Sequence, residues 1–534
     1  MRARALAGAL SAVAALTFCA PAGAQNTYSF LDAAKSPINY SLANAMPQMK
    51  CADLRAASTT DITVISAQLI SAADGVPEHC RVTGNILSEI AFEVNLPSSW
   101  NRRFYMNGNG GYAGERPDVP TRVALRANAL RNGFAAATTN TGHDAMREPL
   151  GTFAVDRAKL IDYAFRAVHV TAVTAKRIAA RYYGRPPAYS YWDGCSTGGR
   201  QGLMEAQRFP GDFDGIVAGA PVLNFTDTMV AYLWLGRALE KAPISMDKLK
   251  VVETALYAKC DKSDGLADGL IDDPRRCDFD PARDAPKCTA GQDGPDCLTE
   301  AQAVALNAVY HGARSNGAPF FFGFPPGAEK IGSDAATGVP VRGWDYWIIG
   351  RDGNLSRQLL YAETFFRYLA FDKPDPNYDV HRFDFDKDPA RLDEIRALLN
   401  ANNPDLSDFR SRGGKLIMYH GWADTALTPF MSVDYYERAL KANGPQTKDF
   451  FRLFMVPAMF HCRGGIGVDH LDALTAVINW VEAGKAPDTI VATRIETNKI
   501  MRSRPLCPYP QAAHFSGNGS SDDAANFACQ KASE

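Results

Sequence analysis

The chain carries no surplus of positive charge. Its 57 Lys and Arg residues face 59 Asp and Glu, for a formal net charge of −2 at pH 7. No basic field is therefore available to draw in nucleic acid or an anionic membrane. Polybasic tracts and zinc-finger spacings are missing, and no C-x-x-C pair offers a redox or zinc site. Past the extreme N-terminus, no apolar run approaches the ~20 residues needed to cross a bilayer. The glycine-rich stretch Asn107-Gly108-Asn109-Gly110-Gly111-Tyr112-Ala113-Gly114 lacks the G-K-[ST] ending and the G-x-G-x-x-G context of nucleotide loops. These absences argue against nucleic-acid binding, membrane spanning and nucleotide use. What remains is a chain of 534 residues, 46% hydrophobic, able to bury a large core and to form two or more domains.

The N-terminus follows the order of an export signal. Arg2 and Arg4 supply charge, Ala5 to Phe18 supply the apolar run, and Ala22-Gly23-Ala24 supplies an A-x-A cleavage site before Gln25. Cleavage after Ala24 removes residues 1–24 together with Cys19. Bulky Phe18 stands where a lipoprotein signal carries a small residue. Ten of the 11 cysteines then remain, an even number that suits disulfides in a periplasmic or extracellular setting. Proximity suggests Cys51 with Cys80, Cys260 with Cys277, Cys288 with Cys297, and Cys507 with Cys529. Cys195 and Cys462 are then left for each other, although sequence alone does not fix connectivity.

The strongest local signal is Gly194-Cys195-Ser196-Thr197-Gly198. An apolar, aromatic run from Ala188 to Trp192 reads as a buried strand. The run from Arg200 to Phe209 reads as a helix stopped by Pro210. Strand, G-x-S-x-G, helix is the setting of a nucleophile elbow, in which flanking glycines let the chain turn sharply and keep Oγ exposed. An ordinary glycine-rich turn between strand and helix is the plainer reading, and the flanking elements favour Ser196 as nucleophile.

Around it the pattern is one of strands and helices. Short strands are expected at Ile62–Ala67, Cys80–Gly84 and Ile90–Leu96, the last alternating as a half-buried antiparallel strand does. Arg103–Met106, Phe134–Thr139 and Phe213–Pro221 read as further strands. Helices are expected from Arg122 to Arg131 and, in one long piece, from Asp156 to Tyr183. Strand patterns resume at Gly414–His420 and Phe451–Val456. This predicts an α/β-hydrolase fold, a mostly parallel sheet with helices on both faces. The catalytic domain would comprise residues 25–223 and 407–534. Residues 224–406, rich in aromatics, Pro and Gly, would be an inserted lid domain above the active site.

A serine hydroxyl needs a base, and the base needs a carboxylate to orient it. In α/β-hydrolases these follow in the order Ser, Asp or Glu, His. His461 follows the Phe451–Val456 strand and suits the base. Asp424, in Tyr419-His420-Gly421-Trp422-Ala423-Asp424, suits the acid. The plainer alternatives are a helix cap for Asp424 and a loop hydrogen bond for His420. The glycine-rich loop at 107–114 suits an oxyanion loop. Within the insertion, Asp261, Asp264 and Asp268 are spaced by glycines and could wrap a Ca²⁺. On spacing alone a solvated acidic turn held by Cys260 and Cys277 reads equally well.

Taken together, Cys195-Ser196-x-Gly-Gly, Asp424 and His461-Cys462 resemble the tannase and feruloyl esterase family across nearly the whole mature chain. The resemblance implies a disulfide beside the triad. It also implies a structural lid Ca²⁺ held by Asp261, Asp264, Asp268 and the backbone carbonyls of Leu266 and Leu270. Oxyanion donors would be the Gly111 and Thr197 N–H groups. Trp347 and Phe365 would be substrate-facing aromatics, lid core being an equal alternative for Phe365. The implied substrate is a small ester of an aromatic acid such as a hydroxycinnamate, gallate or terephthalate, with no organic cofactor. Where the family's terephthalate monoester hydrolases carry an acidic residue after the serine, this chain has Thr197. Tyr361 stands near their lid arginine, with Arg357 and Arg367 flanking it. These departures weigh against terephthalate monoesters, which stay the alternative substrate. Two readings compete from other classes: a non-catalytic, calcium-stabilised secreted binding protein, and a metallohydrolase built on the acidic loop.

Overall fold

The computed structural model describes residues 28–40, 45–333, 340–341, 343–350 and 355–531. The expected leader at 1–24 lies outside them. Nine strands form one sheet: β1 (Ile62–Ile70), β2 (His79–Ile86), β3 (Ile90–Pro97), β4 (Arg103–Asn107), β5 (Ala135–Thr139), β6 (Tyr189–Cys195), β7 (Gly215–Gly219), β8 (Lys415–Gly421) and β9 (Phe451–Val456). Their spatial order is β1-β2-β3-β5-β4-β6-β7-β8-β9. Pairings from β1 to β5 are antiparallel, and every pairing from β5 through β4 to β9 is parallel.

The strands are apolar on both faces because both faces are covered. Phe104 and Met106 point into one core and Tyr105 into the other. Trp192, Ile216, Ala218, Leu416 and Met418 join the first core, and Tyr191, Val217, Ile417 and Tyr419 the second. This is period-two alternation with no wet side. The main helices are α1 (Pro120–Arg131), α2 (Ala167–Tyr183), α3 (Thr197–Arg208), α4 (Phe225–Lys241), α5 (Arg357–Tyr368), α6 (Phe430–Asn443) and α7 (Ala473–Ala483). Side chains of α2, α3 and α6 fill the first core, and those of α7, with Ala129 of α1, the second.

Although β7 and β8 lie far apart in sequence, they are adjacent, Gly215 pairing with Lys415. The chain between them adds helices, including α4 and α5, and short ladders such as Arg314–Ser315 with Ala318–Pro319, but, among the described residues, no strand of the main sheet. All five disulfides join the pairs that proximity suggested, Cys195 with Cys462 included. Among the described residues no helix is long and apolar enough to cross a membrane.

Three features depart from expectation. β3 is not half-buried: Glu93 and Asn95 are also enclosed, at 0% and 1% exposure. Glu93 tolerates this because Arg81 and Arg126 each reach it at 2.5 Å, and a paired charge can be buried. The expected long helix is broken into Arg157–Ile161, a wider i→i+5 turn at Asp162–Arg166, and α2. Carbonyls released by such a turn need new donors, and Arg200 Nη atoms supply them at 3.2 Å to Tyr163 and 2.9 Å to Ala164. Finally, two C-terminal hairpins, Ile490–Glu496 with Lys499–Leu506 and Gln511–Phe515 with Phe527–Lys531, follow α7.

Candidate active site

β6 ends at Cys195 and α3 begins at Thr197, which leaves Ser196 alone in the turn. Its backbone takes φ 64° and ψ −122°, a region costly for any residue with a side chain and typical of functional turns. The turn is held by the Ser196 N–H, which donates to Gly219 O at 2.9 Å. Glycine is required nearby for contact: a Cβ on Gly194 would lie 2.6 Å from Gly198 O, and one on Gly198 3.1 Å from Asn109 O. The elbow and the 107–114 loop thus pack backbone against backbone.

That close approach positions the 107–114 loop. Asn109 N–H donates to Gln201 Oε1 at 2.9 Å and Asn109 Nδ2 donates to Thr139 O at 2.9 Å, so the loop is pinned to α3 and β5. Gly111 has φ 52°, and its carbonyl accepts from the Thr197 and Tyr163 hydroxyls. Neither the Gly111 nor the Thr197 N–H has a hydrogen-bond partner among the described residues. Thr197 opens α3, where orphan N–H groups and the helix dipole favour negative charge.

Asp424 and His461 are in direct contact, with His461 Nδ1 2.8 Å from Asp424 Oδ2. The other carboxylate oxygen accepts from the Ala426 and Leu427 N–H groups at 2.8 and 2.9 Å. Burial pushes the Asp424 carboxyl up, yet His461 and the hydrogen bonds from His420 and His461 hold it below the usual carboxylate range. Asp424 is therefore an anion that orients His461 by its Nδ1–H. No hydrogen bond joins the Ser196 and His461 side chains among the described residues. Their chain neighbours are joined by the Cys195–Cys462 bond, with the two cysteine Cα atoms 6.0 Å apart.

Aromatic rings frame the space beside them. Trp347, half-buried, meets the His461 imidazole edge-on at 5.6 Å and lies nearly parallel to Tyr361 at 6.4 Å. Tyr361 Oη occupies the room left by glycine at 111, 2.5 Å from where a Cβ would stand. Phe365 does not join them. It is fully buried and packs on Phe225 and Phe366, the core placement that stood as the equal alternative to a substrate-facing ring. The ring beside Gly111 and Trp347 is Tyr361, one helical turn earlier on α5. Arg357 lies over the Tyr361 ring at 4.8 Å, and Arg367 pairs with Glu363.

In the acidic loop, Asp261 Oδ1 accepts from Gly269 N–H at 2.8 Å and Asp264 from the Leu266 and Asp272 N–H groups. Asp268 accepts from Leu270 N–H and pairs with Arg504 at 2.9 Å. Asp272, which sequence reading passed over, is half-buried beside them, with its enclosed Oδ1 unpartnered. Burial, only partly offset by Arg504, and the neighbouring Asp264 and Asp268 push it up to about 7. Crowded hard-oxygen donors with one buried oxygen unsatisfied are a donor set that Ca²⁺ fits. Among the described residues, the group whose ligand atoms already lie within 4.8 Å of one another is elsewhere, at His169, Glu205 and Asp212. There His169 Nδ1 is hydrogen-bonded to Asp212 at 2.6 Å.

Residues 75–530 match the family model described as tannase and feruloyl esterase. An uncharacterized esterase of Xanthomonas campestris is 35% identical over 91% of this chain and 92% of its own. The mono(2-hydroxyethyl) terephthalate hydrolase of Piscinibacter sakaiensis is 34% identical over 87% of each. Among solved structures, feruloyl esterase B from Aspergillus oryzae superposes with a TM-score of 0.76 at 28% identity, covering 90% of this chain and 99% of that one. An α/β-hydrolase sheet bearing a G-x-S-x-G elbow, matched over nearly its full length by these esterases, makes the chain a carboxylic ester hydrolase of the tannase and feruloyl esterase family.

Proposed function

We propose that the chain hydrolyses esters of aromatic acids through an acyl-enzyme on Ser196. The observation that carries this reading is the coupling of the strained Ser196 turn, through Cys195–Cys462, to a His461 already paired with a buried Asp424 anion. In the first step His461 Nε2 takes the Ser196 proton as Oγ attacks the ester carbonyl, and Asp424 stabilises the imidazolium. Gly111 and Thr197 N–H groups receive the developing oxyanion, each contributing about 3–4 kcal/mol in the transition state. The alcohol leaves with the proton from His461. Water, deprotonated by the same imidazole, then frees the acid.

The acyl group would lie against Trp347 and Tyr361, flat walls that suit a planar ring. A terephthalate monoester, the alternative, draws support from Arg357, whose Nη2 is 3.4 Å from Tyr361 Oη. That cation could meet a second carboxylate despite Thr197. The segment 224–406 serves as a lid, stiffened by Ca²⁺ held by Asp261, Asp264, Asp268 and the carbonyls of Leu266 and Leu270. When bound, the ion cross-links the loop and has no chemical step. The leader and the fully paired cysteines support export to a periplasm or beyond.

The test is a rate panel on the mature protein with methyl ferulate, a gallate ester, mono(2-hydroxyethyl) terephthalate and p-nitrophenyl acetate. Cleavage of an aromatic-acid ester in preference to the acetate is expected. Equal inertness on all four would overturn the aromatic-acid ester reading.

A further inference from the structure

Asp424 Oδ2 does not serve His461 alone. His420 Nε2 lies 3.1 Å from the same oxygen, so one carboxylate oxygen stands between two imidazoles. His420 is fully buried, and every partner of its ring is visible. Nε2 also lies 3.1 Å from the Leu427 carbonyl, and Nδ1 lies 2.8 Å from Ser432 Oγ.

These partners assign the tautomer. Nε2 faces two oxygens that can only accept, a carboxylate and a carbonyl, so Nε2 carries the proton. Nδ1 faces a hydroxyl, which can donate to it. A second proton on the ring would place an imidazolium in a fully enclosed site whose one carboxylate is already shared with His461. His420 is thus a neutral Nε2–H donor locked by Ser432 of α6. The other titratable group facing Asp424 is Tyr232, whose hydroxyl donates to the Ala426 carbonyl.

We infer that His420 is a positioning residue: its Nε2–H holds Asp424 Oδ2 in line with His461 Nδ1 and tempers the basicity of that oxygen. Two amides fix Oδ1, and two imidazole N–H groups fix Oδ2, so the carboxylate has no freedom to turn from the base. Removing the His420 donor concentrates charge on Oδ2 and tightens its hold on the imidazolium that His461 forms during the reaction. It also lets the carboxylate rotate, which misaligns the base.

The inference rests on the Ser196, His461 and Asp424 reading, and the experiment separates the two. His420→Ala, His420→Gln, His420→Asn and Ser196→Ala are compared in pH profiles of kcat/KM on one active ester. His420→Ala is expected to lower kcat about 10- to 100-fold with KM nearly unchanged, and to move the acid limb upward. Glutamine can present an N–H where Nε2 stands and should restore most of the rate and the limb. Asparagine reaches only the Nδ1 side and should not. A His420→Ala enzyme with unchanged kcat and acid limb overturns the inference, as does a loss of kcat with an unmoved limb that glutamine fails to rescue. Should Ser196→Ala keep its rate, the triad reading itself fails. Because His420→Ala can fail to fold, ¹⁵N-histidine NMR of the wild type supplies an independent arm. His420 must be protonated at Nε2 and bare at Nδ1 at neutral pH; a proton on Nδ1 contradicts the assignment.

Discussion

Cys195 and Cys462 are bonded to each other across 267 residues of sequence, and each is the chain neighbour of a residue the proposed reaction needs. The bond sets how far the Ser196 turn and the His461 loop can drift apart. Closing so long a loop is worth about 6 kcal/mol in the chain-entropy picture, before any native strain. Replacing both cysteines by serine should therefore lower both the melting temperature and kcat, the latter about 10- to 100-fold through misplacement of the base. Removing Cys288–Cys297, which closes only 9 residues of the intervening segment, should lower the melting temperature and leave kcat nearly unchanged. Equal effects of the two pairs on kcat would contradict the positioning role.

Trp347 and Phe365 should behave differently despite their common expectation. Trp347→Ala removes a wall beside His461 and should raise KM for methyl ferulate about tenfold, with little change for p-nitrophenyl acetate. Phe365→Leu should cost about 1 kcal/mol of stability as a core substitution and leave KM alone. Melting curves and a KM comparison on the two esters check both.

Chelation separates a structural ion from a chemical one. Treatment with a calcium chelator should lower the melting temperature, with activity lost only as the protein unfolds, and added Ca²⁺ should restore both. Asp264→Asn should weaken that restoration. Loss of rate at a temperature where the fold is intact would instead favour a metal-dependent reaction.

Glu329 is buried, and burial pushes its carboxyl from 4.5 up to about 7, against the hydrogen bonds donated by Tyr310 and Gly327. Its folded value is raised, so its contribution is fully present below pH 4.5 and is lost as pH rises through 7. The difference amounts to about 3 kcal/mol across that window. Glu329→Gln should flatten the decline, matching the wild type near pH 4.5 and exceeding it at pH 8. Thermal melts across pH 4.5–8.5 read this directly; an unchanged slope contradicts it.

What was legible in the sequence was mostly local. Gly194 to Gly198 announced the elbow because a sharp strand-to-helix turn needs small residues on both sides of Ser196. Near neighbours among the cysteines paired off and left Cys195 with Cys462. Longer-range matters were not legible. Tyr361 and Phe365 are one helical turn apart on the same helix, and only the placement of α5 over Gly111 decides which ring reaches that glycine. The wide turn at Asp162–Arg166 keeps the apolar spacing of a continuous helix, and its stabiliser, Arg200, comes from another element. Glu93 looks like the wet side of a strand until Arg81 and Arg126 arrive from elsewhere. His420 read as a loop hydrogen bond, and its second role depends on Ser432 from α6.

The central claim is that Ser196 Oγ is the atom that becomes acylated. Rapid mixing of the mature protein with p-nitrophenyl acetate, followed by acid quench and peptide mass mapping, tests it most directly. The account predicts a burst of p-nitrophenol close to one per enzyme, an acetyl group on the peptide containing Ser196, and neither in Ser196→Ala, whose rate should fall by several orders of magnitude. An acetyl group mapped to another residue, or full turnover by Ser196→Ala, would contradict it.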